Sequence, residues 1–136
     1  MTYILDACAL LSLLNEEFGK GYEKVRNLLE NATKGETTLC MSLINLVEVY
    51  YRYIQLKGVE VADTVMEQVK NLPVRFIRDI SNEVFFKTAR YKARYSMSLA
   101  DAFLCATAKS LSAVIVTKDK EIKPAEKDGH LSVLWI

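Results

Sequence analysis

The run LADAFLCATAKSLSAVIVTKD, residues 99–119, changes its period halfway along. Leu99 to Ser110 reads as a helix, and Ala113 to Thr117 (AVIVT) is the most strand-like run in the chain, β-branched and apolar without interruption. The same alternation extends outward in both directions. Thr2–Leu5 reads as a strand and ALLSLLN as a helix with leucines at helical spacing. Tyr22–Ala32 follows with Val25, Leu28, Leu29 and Ala32 at a period near 3.6, and Thr37–Met41 is a strand bounded by Gly35 and Ser42. Ser42–Leu56 is a long helix closed by Gly58, Val61–Leu72 is a helix stopped by Pro73, and Val74–Ile77 is a strand. Ser81–Tyr95 is a further helix, and LSVLWI supplies a last strand. Strands alternating with helices predict parallel pairing through right-handed crossovers, hence a three-layer α/β/α sandwich with a mainly parallel central sheet.

A chain of 136 residues fits one domain, 1–136, able to bury a core without staples. Lys and Arg number 18 against 17 acids, a net charge of +1, so any nucleic-acid role must rest on local clustering. Cys8, Cys40 and Cys105 lie far apart in apolar runs with no CxxC pair, which predicts reduced thiols. The apolar runs are broken well short of the roughly 20 residues a bilayer needs, and no leader precedes Thr2, so the expectation is a cytoplasmic protein with no membrane contact. His130 is the sole histidine, which leaves no Ser/His or Cys/His triad to assemble. An aspartyl phosphoryl-transfer site is disfavoured too, because no second Asp stands two residues after Asp6 and no Gly-rich phosphate loop occurs.

Four acids stand in unexpected places. Asp6 directly follows the first strand, and Asp119 lies two residues beyond Thr117, so both fall at the carboxyl edge of the sheet, where ligands bind in such folds. Asp101 and Glu48 lie in strongly apolar helices. Each has a structural alternative. Asp6 suits an N-cap, Asp119 a turn in TKDKE, and Asp101 the third position of a capping box that reaches back to the Ser98 amide. Glu48 belongs to a polar stripe of Asn45, Glu48, Arg52 and Gln55, and can pair with Arg52 at i,i+4 on a solvent seam. Those alternatives do not predict that all four acids fall at strand ends and on apolar helices. A site for a hard divalent cation does, because clustered carboxylates repel without one.

The strings YILDACALLSLL, SLINLVEVYYRY, SLADAFLCATA and VIVTKD, in this order and over essentially the whole chain, resemble the PIN domain family, and in particular its VapC-type toxin ribonucleases. The resemblance implies a Mg²⁺- or Mn²⁺-dependent endoribonuclease that cuts single-stranded RNA. Asp6, Glu48, Asp101 and Asp119 would be its catalytic acids, with Asp6, Asp101 and Asp119 on the metal. Thr117, Asn45 and Ser42 match supporting polar positions, although Ser42 also suits a helix cap. Ala7 and Cys8 stand where relatives often carry a hydroxyl. A cognate antitoxin is the implied protein partner. A non-enzymatic RNA- or protein-binding module of the same fold is the rival reading.

Lys87, Arg90, Lys92 and Arg94, interleaved with Tyr91 and Tyr95, offer cations for phosphates and rings for bases, or else an ordinary exposed helix face. Tyr50, Tyr51, Tyr53 and Ile54 exceed what one helix face must bury, which predicts a homodimer.

Overall fold

The computed structural model describes residues 1–15 and 19–136. Five strands, β1 (Thr2–Leu5), β2 (Thr38–Ser42), β3 (Arg75–Ile77), β4 (Val114–Thr117) and β5 (Val133–Trp135), form one sheet in the order β3-β2-β1-β4-β5. Every neighbouring pair is parallel, with Ile4 opposite both Cys40 and Ile115. Each crossover carries helices. These are α1 (Ala7–Leu14) and α2 (Lys20–Thr33), α3 (Leu43–Lys57) and α4 (Val59–Val69), α5 (Asn82–Arg94) and α6 (Leu99–Leu111), then a 3-10 turn (Lys120–Ile122) running into α7 (Lys123–Lys127). The short 3-10 turn and α7 are not legible in the sequence as helices, since Pro124 and five charges fill so few residues.

Period-two alternation along the strands builds the layers. Leu5, Leu39, Met41 and Val116 point into one core with α1 to α4, while Ile4, Cys40 and Ile115 point into the other with α6 and the α7 region. Burying both faces is what allows strands such as AVIVT to be apolar throughout. Full burial of side chains such as Leu10, Leu104 and Ile122 contributes about 1.5–3 kcal/mol each.

Helix α6 lies close over the sheet because one side of it is mostly small: Ala102, Cys105, Ala106 and Ala108 are all buried. Its start is fixed by Ser98, whose Oγ accepts from the Asp101 amide at 3.0 Å. Helix α3 is started by Ser42, whose Oγ accepts from the Ile44 amide at 3.1 Å, and ended by Gly58 at φ 87°, a left-handed conformation that costs glycine little. The tyrosines of α3 do not form one outer face. Tyr53 is buried and donates to Asn15 Oδ1 at 2.7 Å, and Tyr50 donates to Asp63 on α4, which leaves Tyr51 exposed alongside Ile44 and Val47. Among the described residues no helix is long and apolar enough to cross a membrane.

Candidate active site

The order of the strands brings the ends of β1 and β4 side by side, with the Asp6 amide donating to Val116 O at 3.0 Å. Asp6 therefore leaves the sheet beside the Thr117–Asp119 segment, and the first turn of α6 delivers Asp101 to the same point. Carboxylate oxygens of Asp6, Asp101 and Asp119 all lie within 4.8 Å of one another. They open into a cavity of about 350 Å³ that is also lined by Cys8, Glu48, Arg52, Ser98, Ala100, Lys118 and Glu121.

Asp6 is 4 % exposed and surrounded by donors. Its Oδ1 accepts from the Ala7 amide at 2.7 Å and from Asn45 Nδ2 at 3.3 Å, and its Oδ2 accepts from Thr117 Oγ1 at 2.6 Å and Cys8 Sγ at 3.4 Å. Burial pushes this carboxyl above its ordinary range, and the hydrogen bonds from Thr117, Ala7 and Cys8 oppose the shift. The helix-cap reading and the site reading of Asp6 hold together, because the two oxygens divide the work.

Thr117 is fully buried and joins two of the acids. Its hydroxyl gives its proton to Asp6 Oδ2 and accepts the Asp119 amide at 2.9 Å, so one oxygen sets the spacing of the two backbones. Cys8 takes the place of the expected hydroxyl after the first Asp, with its sulfur 3.5 Å from Thr117 Oγ1. Burial first, and the Asp6 charge next, push the Cys8 thiol up to about 12, so it serves as a neutral donor.

Asp101 departs from the capping-box expectation. Its amide does bond to Ser98 Oγ, but the return bond from the Ser98 amide goes to Glu121 Oε2 at 3.1 Å instead of to Asp101. The Asp101 carboxyl is thereby released toward the other acids, and its Oδ2 is buried with no hydrogen-bond partner. Its pKa rises to about 8, driven first by burial, then by contact with the Glu121 carboxylate, then by the charges of Asp6 and Asp119. Asp119 is half-buried and accepts the Glu121 amide on Oδ1 at 3.0 Å. Glu121 is not among the acids that the sequence singles out; the Asp-x-Glu spacing directly after a strand end is the signal that marks it.

Glu48 lines the cavity but stands outside the tight group of three. Its Oε1 accepts from Arg52 at 3.1 Å, so the i,i+4 pair of the structural alternative forms at the cavity rim. The solvent-seam reading of that stripe fails at its first member: Asn45 is fully buried, donates to Asp6 and leaves its Oδ1 without a partner. Ser42 is buried and capping α3, and it does not line the cavity.

The basic run on α5 divides. Lys87, Arg90 and Arg94 line a separate cavity of about 320 Å³ with Tyr91, Tyr95, Lys109 and His130, and no residue is common to it and the acidic cavity. Lys87 is paired with Glu83 at 2.5 Å and Arg94 with Asp128 at 3.3 Å. Lys92 lines neither cavity; the Glu121 carboxyl is held below its ordinary range by Asp101 first and the Ser98 amide next, with the Lys92 charge a smaller contribution.

The PIN domain family matches residues 3–127, and the chain belongs to it. The fold is shared with solved toxin–antitoxin proteins. VapBC2 from Rickettsia felis, bound to a DNA fragment from the promoter, aligns at 18 % identity and TM-score 0.76 over 99 % of this chain and 98 % of that one. VapBC-1 from nontypeable Haemophilus influenzae aligns at 20 % identity and TM-score 0.72, over 98 % and 97 %. VapC20 from Mycobacterium tuberculosis, a Sarcin-Ricin loop cleaving toxin, aligns at 14 % identity and TM-score 0.68, over 92 % and 95 %. No curated protein matches the chain in sequence.

Proposed function

We propose that this PIN domain is a divalent-metal-dependent endoribonuclease acting on single-stranded RNA, the toxin of a VapC-type toxin–antitoxin pair. One observation carries the reading: three buried or half-buried carboxylates share a space of 4.8 Å, and one of their oxygens, Asp101 Oδ2, is buried with nothing to bond. A desolvated carboxyl among other acids is unfavourable as an anion unless a cation joins it, and without one it keeps its proton up to about 8.

The donor set fits a hard cation. Asp6, Asp101 and Asp119 offer only oxygen, the ligand type of Mg²⁺ or Mn²⁺, and the nearby Cys8 is held protonated and so offers no thiolate. When bound, such an ion supplies Lewis acidity toward a phosphodiester and the water that attacks it. The chain's own groups do the positioning. Thr117 and Asn45 hold Asp6 in one orientation, the Glu121 amide and the Thr117 hydroxyl hold Asp119, and Glu121 takes the Ser98 amide so that Asp101 stays turned inward. Glu48, at the rim beside Arg52, can accept a proton from solvent entering the cavity, and Arg52 can meet a phosphate oxygen.

An antitoxin partner belongs to this reading because the proteins of the same fold are described as members of toxin–antitoxin complexes. The exposed apolar residues Ile44, Val47 and Tyr51, at i, i+3 and i+7 on α3, give a face for self-association, and sedimentation equilibrium at high micromolar concentration checks for the homodimer.

The deciding experiment incubates purified protein with labelled single-stranded RNA in Mg²⁺ or Mn²⁺. Cleavage that stops on chelation supports the reading. Binding with no cleavage of any RNA supports a non-catalytic module, and cleavage that survives both chelation and Asp101→Asn removes the metal mechanism.

A further inference from the structure

Beyond Asp119 the chain places lysines at 118, 120, 123 and 127, and all four line one shallow groove of about 640 Å³ with Glu126 and Trp135. All four are exposed. The two on α7, Lys123 and Lys127, are four residues apart and so share a helix face. Lys118 lines both this groove and the acidic cavity, so the two spaces meet at the end of β4.

The electrostatics of the groove differ from those of α5. Lys120, Lys123 and Lys127 enter none of the ion pairs formed among the described residues. The acid within the groove, Glu126, has both carboxylate oxygens at 3.1 Å from the Trp135 indole nitrogen. Lys24 adds a cation at the border, donating to Trp135 O at 2.8 Å. Lys123 lies 5.3 Å from the centre of the Trp135 ring, which holds one side chain of the row in place. Four lysines lining one groove with a single acidic side chain give it a positive potential that a polyanion laid along it relieves.

We infer that the lysine groove of the 3-10 turn and α7 is the track on which the phosphates of a single RNA strand lie as it leads into the acidic cavity, and that the basic cavity of α5 is not. The inference rests on the ribonuclease reading for its substrate, and extends it by placing the strand on Lys120, Lys123 and Lys127, with Lys118 at the entrance.

Binding can be separated from cleavage by measuring fluorescence anisotropy of a labelled oligouridine in the presence of a chelator, over a range of salt concentrations. Each lysine–phosphate contact to a single strand contributes about 0.7 to the slope of log affinity against log salt. Lys120→Gln/Lys123→Gln/Lys127→Gln should lower affinity on the order of 10–100-fold at low salt and make the slope shallower by about 2. Lys120→Gln/Lys127→Gln, which leaves the contact with Trp135 intact, should reduce the slope by about 1.4. Lys87→Gln/Arg90→Gln should bind as the wild type does. Wild-type affinity and slope in both lysine variants overturn the track, as does loss of binding in the α5 variant alone or an absence of RNA binding by the wild type. A wild type that binds in this salt-dependent way through these lysines but cuts no RNA in Mg²⁺ or Mn²⁺ leaves the track standing and removes the nuclease reading.

Discussion

Two charged clusters lie on this protein, and they are built in opposite ways. On α5 two of the cations have acidic partners near solvent: Lys87 meets Glu83 one turn earlier on the same helix, and Arg94 meets Asp128 from beyond α7. At the carboxyl edge of the sheet Asp6, Asp101 and Asp119 are gathered into one tight group, and burial raises the pKa of both Asp6 and Asp101. The first arrangement is at rest, since its charges reach water and two of them are paired. The second crowds carboxyls together out of water, so Asp101 keeps its proton up to about 8 unless a cation takes the proton's place. Density of charge marks an exposed surface; a desolvated carboxyl with a displaced pKa marks a candidate site.

The sharpest way to break that contrast is to remove a carboxylate from the tight group. Asp6→Asn or Asp101→Asn should lower metal-dependent RNA cleavage on the order of 100-fold or more while RNA binding in chelator persists, as measured by single-turnover cleavage alongside anisotropy. Cleavage within a few-fold of wild type would show that the acids do not act as a unit.

Next in size is Thr117→Val, which keeps the shape and deletes the hydroxyl that links Asp6 to Asp119. Leaving those buried groups unpaired should cost about 1–3 kcal/mol, read by denaturant unfolding, and cleavage should fall on the order of 10–100-fold. Thr117→Ser should restore most of both, whereas a purely packing role would be rescued better by Val.

The pH dependence of stability tests the same cluster without any substrate. In the folded chain Asp101 holds its proton up to about 8, whereas the unfolded chain releases it near the ordinary Asp value of 3.8. Between these values the folded state binds more protons, so the contribution of Asp101 is fully present below about 3.8 and is lost as pH rises toward 8. Thermal melts in chelator should show that decline, and Asp101→Asn should flatten it and be at least as stable as wild type at pH near 8. The cap of α6 survives the change because Ser98 accepts from the residue 101 backbone, not from its side chain. Added Mg²⁺ or Mn²⁺ should stabilise the wild type and have little effect on the variant.

The smallest effect is expected on α5. Lys87→Gln and Arg94→Gln should leave both the thermal midpoint and cleavage unchanged within error, because exposed pairs of this kind contribute little. A marked loss of cleavage in either would erase the distinction between the two clusters.

Much of this was legible in the residues themselves. The change of period at residues 99–117, the Ser–helix starts at Ser42, Ser81 and Ser98, and the stop at Gly58 are local signals, set by interactions within a few positions of the chain. Parallel strands also have a known ligand edge, so placing Asp6 and Asp119 at strand ends already brought them to one side of the sheet. Tertiary structure decided what each group does there. Thr117 reaches Asp6 across 111 positions, Glu121 takes the Ser98 amide across 23 and frees Asp101, and Asn45 turns inward to Asp6 across 39. The division of the α5 cations from the lysines of α7 depends on partners as remote: Asp128 comes to Arg94 across 34 positions, while Lys123 lies against the Trp135 indole 12 positions away. Propensity and periodicity act along the chain over one or two turns. A hydrogen bond or an ion pair depends on position to within a few tenths of an ångström, which strand order and helix packing alone supply.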